Sequence, residues 1–194
     1  MRQNPARRTA LLDAAIEVLA RDGSRGLTLR AVDKEAGVPI GTTTNYFANR
    51  ADLLRQVMTR TGERLAPDPE ALAETMKAPP TKELVAVLLR QLVDRMRTDK
   101  ASHLAMLELR LEATRRPELQ ADLTKIFAAM LEDNIRWHLD AGGLPGDHDT
   151  VLLLYTAMLG VIVDDLTVPG LLEPYGIDNI IKVLVDRTAP EAGR

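Results

Sequence analysis

Apolar positions along this chain recur with the period of a helix, and nowhere does a period-two alternation persist. From Pro5 to Arg21 the residues Leu11, Ala14, Ala15, Val18 and Leu19 fall at i, i+3, i+4, i+7 and i+8, which is one stripe. Asp22-Gly23 ends this first predicted helix. Thr28 is a natural N-cap for a second, which Gly37 stops after Ala36. Pro39 suits the first turn of a third, ending near Tyr46. Asn49 caps a fourth that reaches Leu65, with Asp52 placed to complement its first-turn amides. Pro67 and Pro69 break it, and a short helical piece follows to Met76. A fifth helix is predicted from Thr81 to Thr98 and a sixth from Ser102 to Thr114. A seventh starts at Pro117 and stops before Gly142-Gly143, and an eighth runs from Thr150 to Leu166. After an ordered loop, TVPGLLEPYG, a ninth runs from Ile177 to Arg187. The expected fold is all-α with about nine helices: a small three-helix unit over residues 1–49, then a larger helical body over 50–194.

The third predicted helix is odd. It carries Thr42, Thr43, Thr44 and Asn45 in a row, among the poorest helix formers, in a chain otherwise rich in good ones. Two helices joined by a short glycine turn, the second one short, make the helix-turn-helix arrangement, whose second helix lies in the DNA major groove. Short hydroxyl and amide groups at Thr42, Thr44 and Asn45 let such a helix approach closely and bond base edges or phosphates. Gly41 lets the backbone come near a phosphate. Val38, Thr43 and Phe47 are expected to face inward. The same residues on a solvated surface turn are the plainer alternative.

The eighth helix, TVLLLYTAMLGVIVDDL, is apolar nearly all round, so it asks for burial on two sides. One side faces its own subunit and the other a second copy, with Ala157 and Gly160 permitting close approach beside Tyr155. The ninth helix adds Ile177, Ile180, Ile181, Leu184 and Val185 on one face. A homodimer built from these two helices of each chain is the expectation, with a monomer that buries the eighth helix alone as the alternative.

Charge sharpens the division. Residues 1–60 hold 10 Lys+Arg against 6 Asp+Glu, a net of +4, while the rest holds 15 against 22, a net of −7. A basic end on an acidic body points to a polyanion at the N-terminal part. There are 194 residues, 45% hydrophobic, and no cysteine, which removes disulfides, thiol catalysis and cysteine-bound metals. The longest near-continuous apolar run, Val151–Val163, is 13 residues, against ~20 for a membrane span. A cytoplasmic protein with no membrane contact is expected. His103, His138 and His148 have no metal-like spacing, and no catalytic motif is present, so no enzyme activity, metal or cofactor is expected.

Residues 27–54, LTLRAVDKEAGVPIGTTTNYFANRADLL, resemble the DNA-binding signature of the tetracycline-repressor (TetR) family of bacterial regulators. The shared features are Thr28, Val32, Ala36-Gly37-Val38, Gly41-Thr42, Phe47, Arg50 and Leu53. The preceding LLDAAIEVLARDG resembles the family's first helix. The resemblance implies base contacts from Arg30, Ile40, Thr42 and Thr44, and phosphate contacts from Thr28, Gly41, Tyr46 and Arg50, with Arg7 and Arg8 adding a flexible phosphate contact. Departures occur at Pro39, Thr43, Thr44 and Tyr46. Asp33 also stands where a small residue is expected, and it is expected either to turn outward or to pair with a nearby arginine.

The resemblance further implies a small-molecule pocket within the fourth to eighth helices, and a four-helix dimer interface. His103, Met106 and Arg110 on the sixth helix, and Asn134, Trp137 and His138 on the seventh, put polar tips on mainly apolar faces, as an orienting site in an oily cavity needs. Each alone also reads as an ordinary partly exposed position. The implied function is a ligand-responsive regulator, a repressor that binds a palindromic DNA operator as a homodimer and is released by a small-molecule effector. The alternative is a DNA-binding or protein-interaction module with no effector.

Overall fold

The structure is a computed structural model that describes residues 4–189. Its α-helices are α1 (Pro5–Gly26), α2 (Leu29–Glu35), α3 (Arg50–Leu65), α4 (Pro69–Thr75), α5 (Lys82–Thr98), α6 (Lys100–Ala113), α7 (Pro117–Arg136), α8 (His148–Thr167) and α9 (Ile177–Thr188). No strand occurs among the described residues. The expected caps are in place. Thr28 accepts from the Ala31 amide and Asn49 from Asp52, whose own carboxylate reaches back to the Ala48 amide; a further cap, not foreseen, is Asn4, which accepts from the amides of Ala6 and Arg7. Each cap satisfies helix-end donors that have no intrahelical partner. Inside α1, Gly23 takes φ 68° and ψ −177°, so regular helix stops at the predicted Asp22-Gly23 and a last turn continues to Gly26.

One expected helix does not form. Residues 39–46 make a series of tight turns, of which only Thr43–Asn45 is a 3₁₀ turn. The cause is local: Gly41 sits at φ +93°, and the β-branched threonines after it resist propagation. The seventh helix also ends differently. Its last turn, Trp137–Ala141, widens to π geometry, closed by the Gly142 amide on the Trp137 carbonyl at 2.7 Å.

The chain divides into two compact units. One holds the chain up to Ala66 with Asp99–Lys125; the other holds Pro67–Thr98 with the chain from Ile126 onward. In the first of these units α3 and α6 pack with α1. In the first unit Leu11, Ile16, Leu19, Val32, Phe47, Leu53, Val57 and Leu109 are essentially fully buried. Each such side chain contributes ~1.5–3 kcal/mol relative to leaving it exposed. In the second unit α5, α8 and α9 pack on one another around Val93, Leu154, Met158, Ile181 and Val185. The 168–176 connection is held by turns, including the Leu171 amide on Val168 and the Tyr175 amide on Leu172, each 3.1 Å.

Candidate nucleic-acid interface

The turn at 40–46 is presented by α2 and the core beneath it. Thr43 and Phe47 point inward and are buried, as expected, while Val38 is half-buried. The outward set is Arg30, Ile40, Gly41, Thr44 and Asn45, all exposed, with Ile40 at 69%. A bare isoleucine beside hydroxyl and amide tips is the combination that reads thymine methyls and base edges. Thr42 is half-buried and its hydroxyl donates to the Pro39 carbonyl at 2.5 Å. Thr28 is exposed and its hydroxyl oxygen caps the Ala31 amide at 3.0 Å. Tyr46 is half-buried.

Three charged residues lie where the sequence did not place them. Asp33 neither turns outward nor joins an ion pair among the described residues. It is 1% exposed, and its carboxylate accepts the Gly41 amide, the Thr43 amide and the Thr43 hydroxyl at 2.7, 2.7 and 2.5 Å. Arg8 is not a loose arm. Its guanidinium donates to the Tyr46 carbonyl at 3.0 Å and to Gln56, and lies 5.2 Å from the centroid of the Phe47 ring. Arg50 turns inward: it donates to the carbonyls of Leu27 (3.2 Å) and Ser24 (2.5 Å), to the Ser24 hydroxyl (2.8 Å) and to Glu112 (3.2 Å). Arg7 is exposed.

Glu112 and Glu108, both on α6, complete this bracket and were not singled out from sequence. Glu108 accepts the Ser24 amide at 3.0 Å, and a Cβ at Gly23 would come within 3.2 Å of its carboxylate. Burial alone would raise the Glu112 carboxyl, but hydrogen bonding with Ser24, Arg50 and Arg116 outweighs it and holds the group below its usual range. The only sequence signal was an i, i+4 acidic pair facing an otherwise apolar stripe.

His103, Met106 and Arg110 fall on adjoining turns of α6 in the first unit; the first two are buried and Arg110 half-buried. The His103 Nε2 is buried with no hydrogen-bond partner. Burial, then the Arg110 charge, push its pKa down, so the ring is neutral near pH 7. Asn134, Trp137 and His138 belong to the second unit, exposed, half-buried and buried in turn. The His138 Nε2–H donates to the Pro145 carbonyl at 3.1 Å, which closes the turn after the π segment, and burial keeps this ring neutral as well. An open cleft of about 590 Å³ lies elsewhere in the second unit. It is lined by two ion pairs, Arg97–Asp165 at 2.7 Å and Arg90–Asp178 at 2.6 Å, with Asp94 and Glu173.

α8 buries Leu154, Met158, Ile162 and Leu166 on one side and leaves Leu152 and Leu153 exposed on the other. It is long and apolar enough, by composition, to cross a membrane, but it packs on α5 and α9. Tyr155 and Ala157 are half-buried, and Gly160 is exposed with open space where a Cβ would sit. On α9, Ile177 and Leu184 are half-buried, and Val183 is exposed. Ile181 and Val185 are 0% and 1% exposed, taken up by their own unit's core, which removes both from the outward face expected for them.

Comparison with known proteins agrees with this geometry. The family profile described as "Tetracyclin repressor-like, C-terminal domain" matches residues 80–190, and that described as "Bacterial regulatory proteins, tetR family" matches residues 11–57. The HTH-type transcriptional regulator BetI of Agrobacterium fabrum is 27% identical over 143 residues, 74% of this chain and 68% of that protein. The solved structure of the multidrug binding protein EbrR with imidazole superposes with a TM-score of 0.71 at 27% identity, covering 98% of each chain. A TetR-family member from Streptomyces coelicolor A3 gives a TM-score of 0.72 at 28% identity, over 96% of this chain and 99% of that one. A helix-turn-helix unit with an exposed, polar second element, matched by profiles at both ends of the chain, leads to one conclusion: this chain belongs to the tetracycline-repressor (TetR) family of bacterial DNA-binding transcription regulators.

Proposed function

We propose that the chain acts as a ligand-responsive repressor that binds a palindromic operator as a homodimer. The observation that carries the DNA half of this reading is the exposed cluster of Arg30, Ile40, Thr44 and Asn45 on a turn whose other side, Thr43 and Phe47, is buried. Arg30, Ile40, Thr42, Thr44 and Asn45 reach base edges, and Thr28, Gly41 and Tyr46 face phosphates. Arg50, whose guanidinium is committed to Ser24, Leu27 and Glu112, supports this surface from behind. Residues 1–49 make the DNA contacts, and residues 50–194 carry effector binding and pairing.

Pairing uses the outer side of α8 and α9: Leu152, Leu153, Tyr155, Ala157, Gly160, Ile177, Val183 and Leu184. An apolar face of this kind on an exposed helix matches an obligate dimer burying on the order of 2,000 Å² or more. Two recognition turns then sit one turn of DNA apart, ~34–36 Å. The effector is a small organic molecule, in keeping with the relative EbrR, a multidrug binding protein solved with imidazole, ethidium and malachite green. His103, Met106 and Arg110 on α6 are the first residues to test against it, with Asn134, Trp137 and His138 of the second unit next. His103 leads because its buried Nε2 has no partner. An effector that prefers a second arrangement of α3 needs a coupling of only ~1–3 kcal/mol to release DNA.

The experiment has two stages. Selection from random duplexes with the full chain should return a palindrome. A panel of metabolites and antibiotics, read by thermal shift with and without that palindrome, should yield a compound that raises the melting temperature and weakens DNA binding. No enriched duplex would overturn the DNA reading. A compound that binds tightly but leaves operator affinity unchanged would overturn the switch.

A further inference from the structure

The recognition turn is too short to hold itself. Its internal backbone bonds are the Thr42 amide on Pro39 (3.1 Å), the Asn45 amide on Thr42 (2.9 Å), and the Tyr46 and Phe47 amides on Thr43 (3.0 Å each), to which the Thr42 hydroxyl on Pro39 and the Asn45 amide side chain on Gly41 add two more. Short 3₁₀ pieces have poor bond geometry, and a helix nucleus is unfavourable without outside support. Gly41 at φ +93° adds a backbone free to move at the entrance to the turn. Yet the groups that meet bases hang on this segment, and direct readout needs them placed to within a fraction of an ångström.

Two charged side chains from other elements supply what the turn lacks. At the entrance stands Asp33 of α2. One oxygen accepts the Gly41 amide at 2.7 Å; the other accepts the Thr43 amide at 2.7 Å and the Thr43 hydroxyl at 2.5 Å. Asp33 and Thr43 are 1% and 0% exposed, so water does not compete for the two bonds between them, while the Gly41 bond lies nearer the surface. At the exit Arg8 of α1 donates to the Tyr46 carbonyl and covers the Phe47 ring. The signs are the favourable ones: a carboxylate meets the amide end and a guanidinium the carbonyl end. The carboxylate also bridges the flexible Gly41 and the inward Thr43, which sets how far the intervening Thr42 and the following Thr44 project.

We propose that Asp33 is a positioning residue for DNA recognition: its buried carboxylate, by holding the Gly41 and Thr43 amides and the Thr43 hydroxyl, sets the pose of the recognition turn, with Arg8 closing the other end. This rests on the reading that the turn enters the DNA groove. It also explains two departures from the family signature together. Asp33 and Thr43 are a matched pair, each supplying the partner the other requires in a dry site.

The test compares the full-length wild type with Asp33→Asn and Thr43→Val on the selected operator and on random duplex. Asparagine keeps the shape but turns one acceptor oxygen into a donor, which then faces an amide N–H. For Asp33→Asn the expected result is a loss of at least ~10-fold in operator affinity, with random-duplex affinity and its salt slope unchanged. Thr43→Val should lose ~3-fold, and its effect should shrink in an Asp33→Ala background, the mark of a shared interaction. In the ¹⁵N spectrum of the free protein, the Gly41 and Thr43 amides should move in Asp33→Asn. A purely structural role predicts instead that operator and random-duplex binding fall by the same factor, tracking the folded fraction; that result overturns the proposal. Should Asp33→Asn fail to fold, Thr43→Val decides, and unchanged discrimination there overturns it. A wild type that selects no duplex removes the proposed function and this inference together. A wild type that selects one, with Asp33→Asn fully discriminating, removes this inference alone.

Discussion

Replacing Arg50 with alanine separates two roles for one side chain. A phosphate ligand on the DNA surface predicts weaker binding to every duplex and an intact fold. The structure predicts a damaged fold. The guanidinium makes four bonds, two of them to Ser24 at 2.5 and 2.8 Å, the others to Leu27 and Glu112 at 3.2 Å. The Arg50 side chain is 28% exposed and Glu112 12% exposed, so water replaces part of the loss and the two longer bonds are discounted. Counting only the two bonds to buried Ser24, at ~1.5 kcal/mol each for a charged donor, gives a destabilisation of ~3 kcal/mol. For a chain of this size that is a fall of ~6–12 °C in melting temperature. Lysine does not rescue, because an ammonium cannot span four acceptors on three residues set around a planar fork. The assay is thermal and urea unfolding at fixed protein concentration, paired with random-duplex binding across a salt series. A melting temperature within ~2 °C of wild type, with the salt slope reduced by ~1, would identify Arg50 as a phosphate ligand and refute the inward assignment.

Other outcomes follow from the same contacts. Burial alone would raise the Asp99 carboxyl, but bonds from Arg64 at 2.8 Å and from Ser102 outweigh it, so the folded value lies below the ordinary one. Its stabilisation is therefore complete above pH ~4 and is lost as pH falls through the depressed value; Asp99→Asn should flatten the acid limb of a urea-midpoint against pH profile, and an unchanged limb would exclude the linkage. Gly23→Ala forces a Cβ into a φ of 68° and towards Glu108, and should lower unfolding free energy by ~1–3 kcal/mol in chemical denaturation. Leu153, 56% exposed on α8, can be changed to Glu without touching its own core; light scattering should then report monomer with retained helical signal, and a persistent dimer would move the interface elsewhere.

The helical class, the caps and the stop at Gly23 were legible because they rest on residues one to four positions apart. The apolar stripe of α1, Thr28 on Ala31 and Asn49 on Asp52 are all of that kind. The signature over residues 27–54 likewise marked the DNA-reading unit, and Thr43 and Phe47 turned inward as their spacing required. The run of threonines carries two signals at once. It identified the recognition segment, yet low propensity also meant that no true helix would form there.

By itself, then, the sequence determined the helical class, the approximate extent of the long helices, and the signature that marks the DNA-binding unit. Tertiary structure alone decided what the charged residues near that element do. Asp33 meets Gly41 and Thr43 across a turn, Arg8 reaches Tyr46 from 38 residues away, and Arg50 finds Glu112 from 62 away. It also decided that Ile181 serves its own core and Val183 the outside. The physical reason is one of range: periodicity and capping are set by neighbours along the chain, whereas the partner of a buried charge is chosen by packing, among groups that the linear order keeps far apart.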